Sequence, residues 1–299
     1  MDPLKDPEQL ARMQDATPST PLVVSYACSR GLTVTSGYLR LKNTIDYTLN
    51  PYTGCLFGCS YCFVAKSFRF RHKRVGMEKW GSWLLVKENI PRLLTRDLKL
   101  LQQKGQLSST VIRLSSVTDP YQPVEPRFGI TRQCLEILIE YPPGQLYLQT
   151  KSDLVLEDTD LLQELSGHLV VAVTINTDRE DIASLFEPRA PSLQRRLHVL
   201  EKLKNEGIKT RVIASPILPS DPEKFSHLVK DKADSFVLKT IEDDGSGGCR
   251  LRPEALRIMQ ENGLEEYFEE RFYEKVYSAF LNTIDEEKVG FGQEGFVTL

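Results

Sequence analysis

Asn50-Pro51-Tyr52-Thr53-Gly54-Cys55-Leu56-Phe57-Gly58-Cys59-Ser60-Tyr61-Cys62-Phe63 holds three of the chain's six cysteines within eight residues. Their spacing is C-x3-C-x2-C, with Tyr61 directly before the last and a glycine directly before each of the first two. Glycine tolerates positive φ, so such a loop can turn tightly and aim successive thiolates at one centre. Soft thiolates grouped this closely select zinc, copper(I) or an iron–sulfur cluster. A structural zinc site closes its tetrahedron with a second set of ligands. No second half is present: Cys28, Cys134 and Cys249 are scattered, and the four histidines are isolated. A ferredoxin-type four-iron cluster takes four cysteines, so three would leave one iron open to a ligand that is not protein.

Outward from this loop, residues 45–249 alternate short apolar runs with stretches of helical spacing. The runs predict strands at Tyr47–Asn50, Val111–Ser115, Gln145–Gln149, Leu169–Thr174, Thr210–Ala214 and Ser235–Leu238. Helices are predicted at Lys87–Lys104, Arg132–Glu140, Leu154–Leu165, Pro191–Asn205 and Pro222–Lys230. Such alternation means βαβ units and a parallel sheet. Six units without a Gly-x-Gly-x-x-Gly turn point to an α/β chain built as a partial (β/α)6 TIM-type barrel. An N-terminal arm and lead-in (1–44) precede this barrel (45–249), and a helical extension (250–299) comes after it. In the arm, a short helix over Glu8–Gln14 is ended by the Thr-Pro-Ser-Thr-Pro run at 17–21, and residues 23–44 are expected to wrap the rim.

In parallel barrels the chemistry collects on loops at the strands' C-terminal ends. Those ends carry Ser115, Ser116, Thr118 and Asp119, then Thr150-Lys151-Ser152, then Thr174 with Asn176 and Thr177, then Ser215, then Lys239-Thr240. Hydroxyls, an amide and two lysines are thus brought to one mouth.

The C-x3-C-x-aromatic-C pattern resembles the signature of radical S-adenosylmethionine (SAM) enzymes. The flanking Asn50–Gly54 and the downstream Thr118-Asp119-Pro120-Tyr121-Gln122-Pro123-Val124-Glu125 resemble its spore photoproduct lyase-like branch, a set of DNA-repair-type proteins. The resemblance spans about residues 35 to 250. It implies a [4Fe–4S] cluster on Cys55, Cys59 and Cys62, with the fourth iron chelated by the methionine end of SAM. It also implies reductive cleavage of SAM to a 5′-deoxyadenosyl radical and a reducing partner such as flavodoxin or ferredoxin. By the same resemblance Ser115, Ser116 and Thr118 accept from SAM's ammonium, and Lys151 pairs with its carboxylate. Thr174 and Asn176 take ribose or carboxylate contacts, while Tyr61 and the backbone around Ser215 hold the adenine. Glu187-Pro188-Arg189-Ala190-Pro191-Ser192 and Arg195-Arg196-Leu197 match the branch as well. Pro191 and Ser192 start a helix, and Glu187 with Arg196 is expected as a rim ion pair. The name-giving lyase returns hydrogen from a cysteine on the second-strand side. Val111–Glu125 has none, so photoproduct lyase activity itself is not expected.

Between Lys66 and Lys79 the chain places Arg69, Arg71, His72, Lys73 and Arg74 against one acid, Glu78. Phe63, Phe68, Phe70, Trp80 and Trp83 interleave with them. Cations for phosphates beside rings for bases are the ingredients of single-strand or flipped-base binding, so Arg69, Arg71, Lys73, Arg74 and Trp80 are candidate nucleic-acid contacts. The other reading is an amphipathic cover with its rings in the core. A net charge of −3 excludes a globally basic nucleic-acid binder but leaves room for a local patch. No run approaches the roughly 18 apolar residues of a membrane span, and the acidic, proline-broken N-terminus is unlike a signal peptide. Unpaired cysteines in such a chain predict reduced thiols and a cytoplasmic setting.

Past Gly245-Ser246-Gly247-Gly248, Leu264, Phe268, Phe272, Val276 and Phe280 recur every four residues beside Tyr273 and Tyr277. The stripe must pack on something: the open side of the barrel, or a partner. Residues 290–299 are expected to be loose or tucked into the mouth. Three functions fit these features: a radical SAM enzyme acting on nucleic acid, one acting on a metabolite or peptide, or a zinc-stabilised nucleic-acid binder.

Overall fold

The computed structural model describes residues 6–35, 44–66, 80–240, 252–292 and 294–298. Strands run in the order β1 (Leu22–Tyr26), β2 (Leu32–Val34), β3 (Tyr47–Leu49), β4 (Tyr52–Gly54), β5 (Trp83–Lys87), β6 (Val111–Leu114), β7 (Gln145–Thr150), β8 (Leu169–Thr174), β9 (Thr210–Ala214), β10 (Ser235–Leu238) and β11 (Val289–Phe291). All six predicted barrel strands are present, each within one residue of its expected bounds. They pair in parallel in the order β3-β6-β7-β8-β9-β10, giving the expected partial barrel.

Between them run helices Ile90–Gln103, Ile130–Glu140, Leu193–Asn205 and Pro222–Val229. Ser192 caps its helix by accepting from the Arg195 N–H (3.3 Å), and Asp221 accepts from the Lys224 N–H (3.1 Å). Each satisfies a backbone donor that the first helical turn leaves open. The predicted helix over Leu154–Leu165 is instead a 3-10 stretch, Asp153–Asp158, continued by a short helix, Thr159–Glu164. Asp158, at the junction, is drawn to the Tyr121 hydroxyl (3.0 Å) and to Arg132 (2.8 Å).

Two parts of the chain differ from expectation. The lead-in is not a plain wrap. β1 pairs in parallel with β5, and β4 joins β5 antiparallel, forming a separate three-stranded sheet. β2 pairs antiparallel with β3 at the barrel's edge. The apolar Trp83–Lys87 run, Trp-Leu-Leu-Val-Lys, was missed as a strand because Trp83 was read with the basic aromatic segment before it. Secondly, the tail adds a strand that was not expected, β11, parallel to β10 with Phe236 opposite Val289, and beyond it Phe296 is tucked inward, one of the two expected alternatives. Helix Glu270–Thr283 connects the two strands and packs Phe280 edge-on against Phe225 (ring centroids 5.3 Å apart) and Phe236 (6.1 Å). The apolar stripe therefore packs against the barrel's own last helix and strand.

Alternation along β7 defines the two faces. Leu146, Leu148 and Thr150 are buried, while Gln145, Tyr147 and Gln149 are part-exposed. Leu146 and Leu148 join Val171, Val173, Val212, Ala214, Phe236 and Leu238 in the main core under the helices. Each such side chain contributes on the order of 1.5–3 kcal/mol by leaving water. On the inward face Ala172, Ile213 and Val237 gather around Phe296, which the helix Gly295–Thr298 carries into the lumen. The Arg113 guanidinium stacks over that ring at 5.3 Å, and Arg211 over Tyr147 at 5.3 Å. Among the described residues, no helix is long and apolar enough to cross a membrane.

Candidate functional site

The cysteine loop comes after β4 and stands above the C-terminal ends of the barrel strands. Gly54 and Gly58 have φ of +88° and +60°, as the tight turns demanded. Cys55, Cys59 and Cys62 are free thiols. Burial pushes Cys55 and Cys59 up to about 12 and Cys62 up to about 11, and neighbouring thiols add to each shift. A cluster or metal must therefore displace their protons on binding. Among the described residues no three His, Cys, Asp or Glu side chains converge as a ready-made site for a single metal ion. The donor set nevertheless fits a thiolate-held cluster. Three reduced thiols share one loop and influence one another's titration. An amide also points at one of them, since Gln122 Nε2 donates to Cys55 Sγ at 3.2 Å.

The downstream motif builds the loop's seat. Gln122 Oε1 accepts from the Leu56 N–H (2.8 Å) and Thr118 Oγ1 donates to the Gly54 carbonyl (2.6 Å). Asn50 Oδ1 accepts from the N–H groups of Ser116 (2.9 Å) and Val117 (3.2 Å). Buried Asp119 accepts from Thr150 Oγ1 (2.7 Å) and from the Lys151 N–H (2.8 Å), so it fixes the loop that carries Lys151. Burial raises the Asp119 carboxyl above its ordinary value, although these donors oppose the shift. Thr118 and Ser116 are thus engaged by the loop and by Asn50. Ser115 differs. It has a φ of +70°, rare for a residue with a Cβ, and among the described residues its buried hydroxyl has no hydrogen-bond partner. A polar atom held there without a partner is costly and fits a site that a ligand completes.

A second group joins the cysteine loop to the far side of the mouth. Tyr61 donates its hydroxyl to Glu187. Asn176 Nδ2 donates to the Tyr61 oxygen (2.6 Å) and to Glu187 Oε1 (3.1 Å). Glu187 also pairs with Arg196 and lies 3.6 Å from Lys151 Nζ. The Glu187–Arg196 pair is no rim contact: their side chains are 1% and 2% exposed. Helix Glu180–Phe186, which the spacing did not predict, brings Glu187 inward. Burial alone would raise the Glu187 carboxyl, but Arg196, Lys151 and the Tyr61 hydroxyl outweigh it and hold the group below its usual range. Lys151 Nζ also sits 5.8 Å from the Tyr61 ring centre. Thr174 accepts from Gln149 Nε2 (3.3 Å), and the Ser215 N–H donates to Asn176 Oδ1 (3.2 Å).

Tyr61, Lys151, Asn176 and the cysteine loop therefore form one connected region, with Thr174 and Ser215 at its border, while Ser115 stands at the end of β6 with its N–H on the Leu49 carbonyl. Trp80 stands apart. It is 6% exposed, edge-on to Trp83 at 6.2 Å, in a second apolar cluster with Met13, Val64, Ala65 and Leu85. Its ring is packed, not offered to a base. Arg69, Arg71, Lys73 and Arg74 lie outside the described residues. Sequence reasoning quoted Gln122 and Arg189 within motifs but assigned them no role. It passed over Arg252, whose Nη1 donates to the Cys59 carbonyl at 3.2 Å.

A parallel partial barrel with three reduced thiols on a loop at its C-terminal mouth defines a thiolate-loop α/β barrel protein. The chain belongs to the radical SAM superfamily, a superfamily of enzymes, whose family model matches residues 49–231. An uncharacterized protein of Methanocaldococcus jannaschii is 39% identical over 173 residues, 58% of this chain and 61% of that protein. The chain thus spans under two thirds of that relative's length. An uncharacterized protein of Acidianus two-tailed virus is 34% identical over 236 residues, 77% of this chain and 73% of its own. Solved structures of spore photoproduct lyase mutants share the fold, with TM-scores of 0.65 and 0.64 at 17% identity over 94% of this chain and 84% of theirs. The second of these carries bound AdoMet and a dinucleoside spore photoproduct.

Proposed function

We propose that this chain holds a [4Fe–4S] cluster on Cys55, Cys59 and Cys62 and uses SAM to abstract a hydrogen atom from a substrate. The observation that carries the reading is the mouth itself. Three free thiols share one loop, Tyr61 of that loop is tied to Glu187 beside Lys151, and Ser115 has an unpartnered buried hydroxyl, on a chain whose residues 49–231 match the superfamily. When bound and reduced, the cluster supplies the electron that cleaves SAM to methionine and a 5′-deoxyadenosyl radical. The chain's own residues bind and orient. Lys151 offers a cation to the SAM carboxylate, and Ser115 Oγ accepts from its ammonium. Tyr61, fixed through Glu187 and Asn176, would help to hold the adenine. Gln122 donates to the Cys55 sulfur.

Nucleic acid is the proposed substrate, supported by the basic aromatic composition of residues 66–83 and by the dinucleoside bound to a protein of the same fold. A metabolite or peptide is the second reading, favoured by the burial of Trp80. A flavodoxin- or ferredoxin-type reductant is the proposed electron source and the cytoplasm the proposed setting. Lyase chemistry on spore photoproduct is not proposed: Cys134 lies buried in helix Ile130–Glu140, under the sheet's outer face.

The test is anaerobic reconstitution with iron and sulfide analysis, then SAM with a chemical reductant and detection of 5′-deoxyadenosine by chromatography. Stoichiometric zinc without sulfide would sink the reading.

A further inference from the structure

Arg189 occupies a seat made for it. Its Nε donates to the Leu56 carbonyl, one residue past Cys55, at 2.7 Å. Its terminal Nη2 lies where two side chains would otherwise be. A Cβ on Gly58 would fall 1.9 Å from that nitrogen, and a Cβ on Gly81 1.8 Å from it. Gly58 lies within the cysteine loop, and Gly81 (φ +95°) opens the turn into β5. The two backbones also approach closely, since a Cβ on Gly81 would come within 2.8 Å of the Gly58 Cα. The loop, the turn and the guanidinium therefore interlock, and any side chain at either glycine displaces the cation. Leu56 is the residue after Cys55 and Gly58 the residue before Cys59, so the guanidinium is seated on the backbone between the first two cysteines of the loop.

We propose that Arg189 is a positioning residue that holds a fixed positive charge against the Cys55–Cys59 side of the cluster and thereby raises its reduction potential. The proposal rests on the reading that these cysteines hold a cluster. Reduction adds one negative charge, which a half-buried cation stabilises more than it stabilises the oxidised form. Cluster potentials respond to net charge and surrounding hydrogen bonds. Lys151 and Arg196 lie against Glu187, and Arg252 reaches the loop through the Cys59 carbonyl at 3.2 Å. Arg189 differs in holding the Leu56 carbonyl, between Cys55 and Cys59, from a slot that two glycines leave open.

The experiment is a potentiometric titration of the reconstituted full chain, monitored by electron paramagnetic resonance of the reduced cluster. Iron and sulfide are counted first. Arg189→Gln should keep its iron and move the midpoint more negative by about 59 mV, a tenfold change for one electron. Arg189→Lys, which keeps the charge, should stay near wild type. Gly81→Ala, which forces the guanidinium from its seat, should behave as Arg189→Gln does. Equal midpoints for wild type and Arg189→Gln overturn the proposal, as do equal shifts in the Gln and Lys variants. If Arg189→Gln loses its iron, Gly81→Ala decides, and an unchanged midpoint there overturns it. Wild-type chain without iron and sulfide instead sinks the cluster reading itself.

Discussion

Tyr61 donates its phenolic hydroxyl to the carboxylate of Glu187, a residue 126 positions further along the chain. Through that bond the aromatic position of the cysteine loop is fixed to the same carboxylate that pairs with Arg196 and neighbours Lys151. One acid thus orients the loop and the cation beside it.

Removing that acid should be costly. Glu187→Gln leaves Arg196 buried at 2% exposure without its counter-charge, and breaking such a pair destabilises by about 3–5 kcal/mol. Chemical denaturation at neutral pH checks this. Because the folded-state carboxyl is held low, its contribution is full above the ordinary value of 4.5. It is lost as pH falls through the folded-state value, so the gap between wild type and Glu187→Gln should narrow in acid.

Glu125 behaves in the opposite sense. Burial pushes its carboxyl up to about 7 from 4.5, although Tyr52 and the Thr131 N–H donate to it. Folding favours the protonated form, so this contribution is full below 4.5 and fades as pH rises to about 7, by about 3 kcal/mol in all. Glu125→Gln should flatten that part of the stability–pH curve. An unchanged slope would show that the group ionises freely in the folded chain.

Replacing Cys55, Cys59 or Cys62 by Ala should abolish iron and sulfide binding after anaerobic reconstitution. Cys28→Ala, Cys134→Ala and Cys249→Ala should retain it. Elemental analysis of the six variants separates the two groups.

Lys151→Ala should keep the cluster and weaken SAM binding about ten- to hundredfold, the equivalent of a lost charged hydrogen bond of about 1.5–3 kcal/mol. Equilibrium dialysis with labelled SAM measures it. Unchanged affinity would remove Lys151 from the site.

The basic segment and Trp80 part company. If Arg69, Arg71, Lys73 and Arg74 each neutralise a phosphate, log K for an oligonucleotide should fall with log salt at a slope of roughly −3, from about −0.7 per contact. Trp80→Ala should leave that slope alone and cost about 3–5 kcal/mol of stability, as loss of a packed core ring does. Titrations at two salt concentrations and a thermal melt check both halves.

The barrel was legible because its strands are largely buried: Leu169–Thr174 and Thr210–Ala214 are covered on both faces and, with Val111–Leu114, read as apolar runs whatever surrounds them. The cysteine loop was legible because thiolate spacing is local chemistry. Contacts between distant motifs were not. Nothing in Thr118–Glu125 says that Gln122 reaches Cys55 while Thr118 is spent on the Gly54 carbonyl, since that depends on how β4 leaves the barrel for the smaller sheet. The burial of Glu187 was hidden for a similar reason, because the seven-residue helix before it is too short to give a clear period. Trp80 misled because a ring among cations looks the same in sequence whether it faces a base or Trp83.

Phe296 adds a consequence of another kind. It lines the lumen among Ala172, Ile213 and Val237, under the Arg113 guanidinium, yet it lies 65 positions beyond the last residue that the family model matches, 296 − 231. The ring that fills the lumen therefore comes from outside the matched region, although Arg113, Ala172 and Ile213 around it lie within. A change confined to Gly295–Thr298 would thus reshape the inside of the barrel while leaving its strands and the cysteine loop untouched in sequence.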